Sequence, residues 1–397
     1  MNIITLTDYQ YEMNNIHFLS NNEFIFGNTH QNGKKYRRVF YKYNIENKAV
    51  TAINKKGMKT CEHCYYSTFI KDNYLYTNLR EVHEGNPKVT LIKVHIGSGK
   101  SETLLELEED MKVEFINDEY VILMGSKTPI VEEFDVYKDI QGEYQVAFLY
   151  DIINKSAYKI WDKRVILSVS DELFTYETST GEQLLFNEAY MDDYEKEEAY
   201  RKRIPREGYY RMGYISNLHG INLDKFVRSI KAGSKRLPFK SICSLEEAGA
   251  INYIAMDDTY IYYINKDFEK KLNFYYRAHK ETLESQLINT IEAPEEREVY
   301  YSAFDQPSTE LYEYAHTEDN EILIKEIFSQ RVIYRGSGFR ESFIGVWKNN
   351  MVLNFWTEDS DGSNYESFLK IIDLKNDITS VYKGIADFKR GNVILFS

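Results

Sequence analysis

The chain has 397 residues, of which 43% are hydrophobic and 28% are charged. This composition is that of a folded protein with a core and excludes disorder along most of the chain. The formal net charge of −13 excludes a broad attraction to nucleic acid or to anionic membranes, so any such contact requires a local basic patch.

Aromatic residues make up 15% of the chain, and because Tyr and Phe suit a pleated, half-buried surface, they favour strands over helices. Residues 1–8 lack a basic stretch followed by an apolar run, so we expect no secretory signal. No window approaches 18 apolar residues, so we expect no transmembrane helix. Three Cys residues cannot form a disulfide framework, which agrees with a reducing cytoplasm. We therefore expect a cytoplasmic protein, and the charge and the lack of a long apolar window predict no membrane contact.

The predicted elements begin with a pattern that recurs along the chain: a short apolar strand, a tight polar turn and an aromatic or β-branched strand. Asn and Asp occupy most of these turns, because both residues tolerate the left-handed backbone and their side chains bond neighbouring amides. Copies lie at residues 18–26, 69–76, 115–123, 167–174, 254–262, 346–353 and 388–395, with a weaker copy around residues 304–307.

A second pattern follows most copies of the first and consists of a strand, a turn and the start of another strand. Its copies lie at residues 40–48, 91–99, 148–155 and 368–376, with a compact copy at residues 174–182. Two hairpins per unit make four strands. The units recur roughly every 42–52 residues, apart from one longer gap near the middle, and a period of about 40–50 residues is typical of β-propeller blades. One such unit cannot bury both of its faces, so we expect neighbouring units to stack.

These repeats resemble the β-propeller superfamily in the broad sense, over nearly the whole chain. Trp161-Asp162 occurs alone, without the rest of a WD repeat, and Kelch double glycines are absent. Residues 176–182 are similar to a strand and turn of quinoprotein-type blades, but only once. The resemblance implies an all-β fold, a β-propeller of seven or eight four-stranded blades with one helical insertion, in a single domain over residues 1–397. It implies no activity.

The two ends of the chain are expected to contribute to one blade. The last repeat, residues 388–395, is a hairpin, and a short apolar strand is predicted near residues 3–7. Pairing between them completes a blade and removes exposed sheet edges.

The repeat pattern is interrupted at residues 190–248, which we predict to be a helical, basic insertion between blades. The segment opens with acidic residues and then turns basic, with only Glu207 and Asp224 as acidic side chains between residues 199 and 241. The basic residues there are Arg201, Lys202, Arg203, Arg206, Arg211, Lys225, Arg228, Lys231, Lys235, Arg236 and Lys240. Long insertions between repeats tend to lie on the binding face.

Part of this insertion is predicted to be a helix. Asn222 can cap its N-terminus, with Asp224 in the first turn, and Gly233 suits the position just past its C-terminus. Lys225 and Arg228 lie together on the exposed face. The apolar face with helical spacing consists of Leu223, Phe226, Val227 and Ile230. A second, highly charged helix is expected at residues 191–202.

Two interpretations of the insertion stay open. In the first, it binds an anionic partner, such as an acidic protein surface, a phosphorylated group or nucleic acid. In the second, it is a helical cap that packs its apolar face on the propeller and forms surface charge pairs of small energetic value. The residues predicted to bind the partner are Arg201, Lys202, Arg203, Arg206, Tyr209, Tyr210, Arg211, Lys225 and Arg228.

Two short motifs could carry chemistry, and a structural interpretation is favoured for both. The sequence Cys61-Glu62-His63-Cys64 could supply two zinc ligands, but no second Cys pair completes a four-ligand site. Gly99-Lys100-Ser101 matches the end of a phosphate-binding loop. The leading glycine of such a loop is Val94 here, so a hairpin turn accounts better for the triplet.

Acidic clusters are interpreted in the same way. Residues 359–364 resemble a calcium loop, but Glu366 comes too early for the last ligand, and a polar hairpin tip is the simpler account. Glu132, Glu133 and Asp135 are interpreted as solvated loop carboxylates. We expect neither a metal site nor a cofactor.

The first functional hypothesis is a non-enzymatic scaffold propeller that binds a protein partner, because Tyr side chains offer rigid contact area with a polar tip. One alternative is a propeller hydrolase or lyase with a channel-facing active site, although no G-x-S-x-G, complete Walker loop or H-E-x-x-H motif is present. The other is binding of an anionic ligand or nucleic acid through the basic insertion. The sequence leaves the partner and the oligomeric state open.

Overall fold

A computed structural model shows that most of the chain forms strands. It describes residues 1–12, 16–61, 66–83, 86–107, 111–127, 144–162, 164–165, 173–190, 215–246, 249–267, 270–292, 298–302, 312–316, 321–337, 340–358 and 365–397. Within these residues the strands form eight sheets, the larger of the two predicted numbers of blades. In this part of the chain, no helix has both the length and the apolar character needed to cross a membrane.

The sheets divide between two compact units. Unit 1 comprises Met1–Tyr11, Glu172–Ile221 and Phe239–Ser397, and unit 2 comprises Glu12–Asp171 and Asn222–Pro238. A single domain over residues 1–397 stays a prediction.

Unit 2 contains three sheets, in which strands adjacent in sequence pair antiparallel. The first has β2 (Ile16–Phe18), β3 (Glu23–Asn32), β4 (Lys35–Asn44) and β5 (Ala49–Ala52), with β6 (Met58–Thr60) also paired to β4. The second has β7 (Thr68–Lys71), β8 (Tyr74–His83), β9 (Asn86–His95) and β10 (Ser101–Leu107). The third has β11 (Lys112–Phe115), β12 (Tyr120–Lys127), β13 (Tyr144–Asp151) and β14 (Ser156–Ile160).

Unit 1 contains four four-stranded sheets of the same kind. The first has β15 (Leu173–Thr178), β16 (Gly181–Tyr190), β17 (Ile215–Asn222) and β18 (Lys240–Glu246). The second has β19 (Gly249–Met256), β20 (Tyr260–Asp267), β21 (Leu272–His279) and β22 (Ser285–Glu292). The third has β23 (Glu298–Ser302), β24 (Tyr312–His316), β25 (Glu321–Glu326) and β26 (Val332–Ser337). The fourth has β27 (Glu341–Trp347), β28 (Asn350–Glu358), β29 (Tyr365–Asp373) and β30 (Ile378–Lys383).

The fifth sheet of unit 1 joins the two ends of the chain. Its strands are β1 (Asn2–Leu6), β31 (Ile385–Lys389) and β32 (Asn392–Phe396). β1 pairs in parallel with β32, with Ile4 opposite Ile394, and β32 pairs antiparallel with β31. The prediction that an N-terminal strand and the C-terminal hairpin share one sheet is confirmed.

The polar turns have the conformation that their residues favour. Asp72 and Asn73 both adopt positive φ, at 48° and 64°, in the turn between β7 and β8. The side chain of Asn117 accepts hydrogen bonds from the amides of Glu119 and Tyr120, each at 2.9 Å, and Asp257 makes the equivalent pair of bonds before β20. These local bonds fix the hairpins and therefore the registers of the strands.

Buried apolar side chains lie between consecutive sheets of each unit. In unit 2, one cluster lies between the first and second sheets and another between the second and third. In unit 1, clusters join the β15–β18, β19–β22, β23–β26, β27–β30 and β31–β32 sheets in that order. Second strands such as β20 are mostly buried, whereas last strands such as β22 are mostly exposed. Each sheet therefore covers the apolar face of its neighbour, as expected for stacked blades.

The described residues of the segment predicted to be an insertion contain one helix, α1 (Leu223–Lys231). The prediction placed that insertion between two blades, but its residues also include β17 and β18, so α1 connects the third and fourth strands of one sheet. Both strands are short and lack a strict alternation of apolar and polar residues, so periodicity did not predict them. The helix expected at residues 191–202 lies outside the described residues.

Candidate partner-binding surface

Local sequence determines where α1 begins and which of its faces is buried. The side chain of Asn222 accepts a hydrogen bond from the amide of Lys225, so Asn222 is the N-cap, as predicted. Gly233 follows the helix with φ +70° and closes it. The buried residues are Leu223, Phe226, Val227 and Ile230, which confirms the predicted apolar face. This face belongs to unit 2, in which α1 contacts β14.

A buried ion pair holds the last turn of α1. The Lys231 Nζ donates to Asp151 Oδ2 at 2.6 Å, and the Asp151 side chain is only 1% exposed. The Lys231 ammonium group also lies over the rings of Tyr120 and Tyr158, at 5.1 and 5.3 Å from their centroids. Burial by itself raises the pKa of Asp151, but hydrogen bonds from Lys231 and Asn154 outweigh it, and the pKa of this carboxyl lies below its ordinary value.

A second buried carboxylate holds the segment that follows α1. The Asp162 side chain, 4% exposed, accepts two hydrogen bonds from the Arg164 guanidinium, at 2.9 and 2.6 Å. It also accepts a bond from the amide of Leu237 at 2.7 Å, while Arg164 donates to the carbonyl of Leu237 at 2.9 Å. Burial raises the pKa of Asp162, and the bonds from Arg164 and Leu237 lower it more strongly, so it lies below its ordinary value.

Four cationic side chains are exposed on α1 and on the turn after it. They are Lys225, Arg228, Lys235 and Arg236, which we call the α1 basic surface. Within the described part of the chain, none of the four forms an ion pair with a carboxylate. Arg228 donates to the main-chain carbonyl of Asp224, which orients its guanidinium along the helix.

The structure describes two of the nine residues predicted to bind the partner. Lys225 and Arg228 lie together on the exposed face of α1, as predicted. The other predicted residues lie outside the described part of the chain: Arg201, Lys202, Arg203, Arg206, Tyr209, Tyr210 and Arg211. Their role in binding stays a prediction.

The sequence did not identify the residues that hold this surface in place. Asp151 ends β13 within the repeat, and Asp162 belongs to the solitary Trp-Asp pair. The available signal was an Asp at the end of a strand or just after it, with Asn or Arg within the next three residues. Both carboxylates bond such a neighbour. Their pairing with Lys231 and Leu237 spans 80 and 75 residues.

The other motifs have mixed outcomes. Gly99-Lys100-Ser101 lies in the hairpin turn between β9 and β10, which confirms the structural interpretation. Residues 62–64 of the Cys motif lie outside the described residues, as do residues 359–364 and the carboxylates of Glu132, Glu133 and Asp135. Within the described residues, no group of three or more His, Cys, Asp or Glu side chains could hold a metal ion.

Comparison with known proteins shows similarity of fold. No protein-family model matches the chain, and no curated protein matches its sequence significantly. A solved prolyl endopeptidase aligns with a TM-score of 0.50 and 9% identity, over 93% of this chain and 49% of that chain. The β-propeller domain of the Trilobed protease from Pyrococcus furiosus aligns with a TM-score of 0.44 and 11% identity, over 91% and 97%. Chaetomium thermophilum Sqt1, bound to the N-terminus of ribosomal protein L10, aligns with a TM-score of 0.41 and 10% identity, over 97% and 91%.

The chain therefore spans about half the length of the prolyl endopeptidase that it matches. The alignment with the prolyl endopeptidase shows a similar fold and carries no statement about activity. Eight sheets, mostly of four antiparallel strands that pair in sequence order, define the class of protein. The chain has the β-propeller fold class that these sheets define, as its resemblance to that superfamily implied.

Proposed function

We propose that this chain is a non-enzymatic scaffold propeller that binds an acidic surface of a protein partner. The single observation that carries the proposal is the α1 basic surface: Lys225, Arg228, Lys235 and Arg236 are exposed and unneutralised within the described residues. The predicted basic residues at positions 201–211 precede this surface in sequence, and their part in partner binding is a separate proposal.

The charge of the whole chain makes this surface selective. The chain has a formal net charge of −13, so most of it repels an acidic partner. A local group of cations in such a protein directs an acidic partner to one place and raises the rate of correct encounters. A partner with a basic surface would be attracted to the rest of the molecule instead.

The attachment of α1 favours a binding role for its exposed face. The ion pair of Lys231 with Asp151 and the bonds of Asp162 to Leu237 hold both ends of the segment that carries the cations. Groups held in place before binding lose less conformational entropy when a partner arrives. The cap interpretation and the binding interpretation are therefore compatible, because the buried face packs and the exposed face is left for a partner.

The test uses point variants, because deletion of residues 190–248 would remove β17 and β18 from their sheet. Lys235→Glu/Arg236→Glu reverses one adjacent pair of charges, and Lys225→Glu/Arg228→Glu reverses the pair on α1. Lys34→Glu/Lys35→Glu is the matched control, because these lysines form another exposed adjacent pair in unit 2.

The binding of a fluorescent 20-residue poly-glutamate peptide is measured for all four proteins at low and physiological salt. Each double reversal on the α1 basic surface is expected to weaken binding about tenfold or more, with the control unchanged. Each protein is then used for affinity capture from the native cell, and the captured proteins are compared by quantitative mass spectrometry. The partner is the protein that both site variants fail to capture and that the control still captures.

Equal binding of the peptide by the site variants and the wild type would contradict the proposal. A single-stranded DNA 20-mer, tested in the same way, separates the nucleic-acid alternative. Two results together would replace protein by nucleic acid as the proposed ligand. The wild type would bind DNA and not poly-glutamate, and Arg201→Gln/Lys202→Gln/Arg203→Gln would no longer bind DNA. Binding to DNA falls steeply with salt.

A further inference from the structure

We propose that a cavity in unit 2 binds a small organic molecule that carries a phosphate group. The cavity lies between the loop that follows β5 and the turn of the β9–β10 hairpin. Its volume is about 700 Å³, which is in the range of pockets for small ligands. The site is independent of the α1 basic surface and does not rest on the binding of a protein partner.

The polar side chains of the cavity suit an anion. Three lysines line it, Lys42, Lys55 and Lys56, together with Ser101 and with Ser98, whose hydroxyl group lies 3.1 Å from His95 Nδ1. Among the described residues that line it, no Asp or Glu is present. An anion therefore meets no repulsion from the lining, and a metal cation would find no carboxylate ligand. Lysine ammonium groups and hydroxyls are donors that bind phosphate oxygens.

Two of the three lysines carry charge that the described residues do not neutralise. Lys42 pairs with Glu23, with 3.1 Å between Nζ and Oε1. Lys55 and Lys56 are exposed and form no ion pair with a carboxylate in the described part of the chain. Two adjacent uncompensated cations match the charge of a phosphate monoester near neutral pH, which is about −2.

The floor of the cavity is apolar, which selects an organic phosphate over inorganic phosphate. Ile53 and Ile96 are buried members of the core cluster between the first two sheets of unit 2, and Met58 packs against that cluster. All three line the cavity. A ligand with an apolar or aromatic body contacts this floor while its phosphate reaches the lysines, and the combination is typical of small-molecule sites.

Glycine at position 99 brings the two walls of the cavity together. Gly99 adopts a φ of +68°, and a Cβ atom there would lie 1.9 Å from the carbonyl oxygen of Ile53. No other residue allows the hairpin turn to approach the loop this closely. The triplet Gly99-Lys100-Ser101 therefore acts here as a hairpin that supplies one wall, with Ser101 lining the cavity, and not as a phosphate loop that opens a helix.

The opposite wall is held by a buried side chain. Asn54 accepts a hydrogen bond from the amide of Phe40 at 2.6 Å and donates to the carbonyl of Arg38 at 3.3 Å. These two bonds fix the loop to β4, so the backbone that carries Lys55 and Lys56 is ordered before a ligand binds. A preformed site loses less entropy on binding than a flexible loop would.

Calorimetric titration of the full chain with AMP, ribose 5-phosphate, inorganic phosphate and adenosine tests the proposal. The wild type is expected to bind at least one of the two organic phosphates more tightly than inorganic phosphate or adenosine. Lys55→Ala/Lys56→Ala is expected to weaken that binding at least tenfold. Lys34→Ala/Lys35→Ala, which removes the same charge from another exposed turn of unit 2, is expected to leave it unchanged.

The proposal would be overturned by no binding of either organic phosphate at millimolar concentration, by adenosine binding as tight as AMP binding, or by an affinity that survives in Lys55→Ala/Lys56→Ala. Equal losses in the two lysine variants would also overturn it, because they would show a response to net charge alone. Both variants change exposed side chains, and matching thermal unfolding curves establish that each is folded.

Discussion

Lys231 and Asp151, which are 80 residues apart in sequence, form an ion pair with 2.6 Å between Nζ and Oδ2. The same carboxylate caps the turn between β13 and β14, because its other oxygen accepts a hydrogen bond from the amide of Asn154 at 2.8 Å. One buried Asp therefore orders a hairpin and anchors a helix. The loss of either partner affects the surface that α1 presents.

Lys231→Met removes the cation and keeps the length of the side chain. The variant leaves the Asp151 carboxylate buried without its charged partner, and we expect the free energy of unfolding to fall by about 2 kcal/mol. Urea unfolding measures this loss, and hydrogen exchange of residues 223–231 locates it. Lys225→Met is the control on the same helix, and a change beyond about 0.5 kcal/mol there would indicate that any loss of charge on α1 destabilises the protein.

Asp162→Ala removes the acceptor that joins Arg164 to Leu237. The variant leaves the Arg164 guanidinium without its carboxylate partner and the buried amide of Leu237 without its acceptor, so we expect a loss of about 3 kcal/mol. We also expect faster hydrogen exchange at residues 232–238 than in the wild type. Unchanged exchange in that segment would show that other contacts hold it.

The stability of unit 2 is expected to fall in acid. The pKa values of Asp151 and Asp162 lie below the ordinary Asp value in the folded protein. Such groups add stability above their unfolded pKa, which is about 4, and that stability is lost as the pH falls through the lower folded value. Urea unfolding between pH 6 and pH 2.5 is therefore expected to show a steeper decline for the wild type than for Asp151→Asn/Asp162→Asn. Asp258→Asn, an exposed carboxylate, is expected to follow the wild type.

Alanine substitutions at two glycines allow the energetic cost of backbone strain to be measured separately from that of steric contact. Gly33 and Gly99 both adopt positive φ, at +62° and +68°, but a Cβ at Gly33 would have no atom within 4 Å. Gly33→Ala is expected to cost about 1 kcal/mol, which is the strain of the left-handed backbone alone. Gly99→Ala is expected to lower the free energy of unfolding by at least twice as much. It is also expected to weaken the binding of any ligand in the neighbouring cavity. Thermal unfolding of the two variants compares the costs, and equal losses would show that the contact with Ile53 is relieved by a small shift.

The regular features of this fold were predictable because they depend on residues close together in sequence. The alternation of apolar and polar residues predicts each hairpin, and the Asn and Asp side chains that fix its turn lie within three residues of the amides they bond. The helix was predictable for the same reason. Asn222 caps it locally, and the 3.6-residue period of Phe226, Val227 and Ile230 marks its buried face.

The sequence by itself determined the repeating hairpins, the β-propeller class, the joining of the two chain ends in one sheet and the faces of α1. Only the tertiary structure showed that Lys231 is an anchor whereas Lys225 is exposed, and that the turn at Gly99 forms one wall of a cavity. The physical reason is distance along the chain. Periodicity and turn chemistry act within one hairpin or helix, whereas Asp151, Asp162 and Ile53 act on groups dozens of residues away that only folding brings near them.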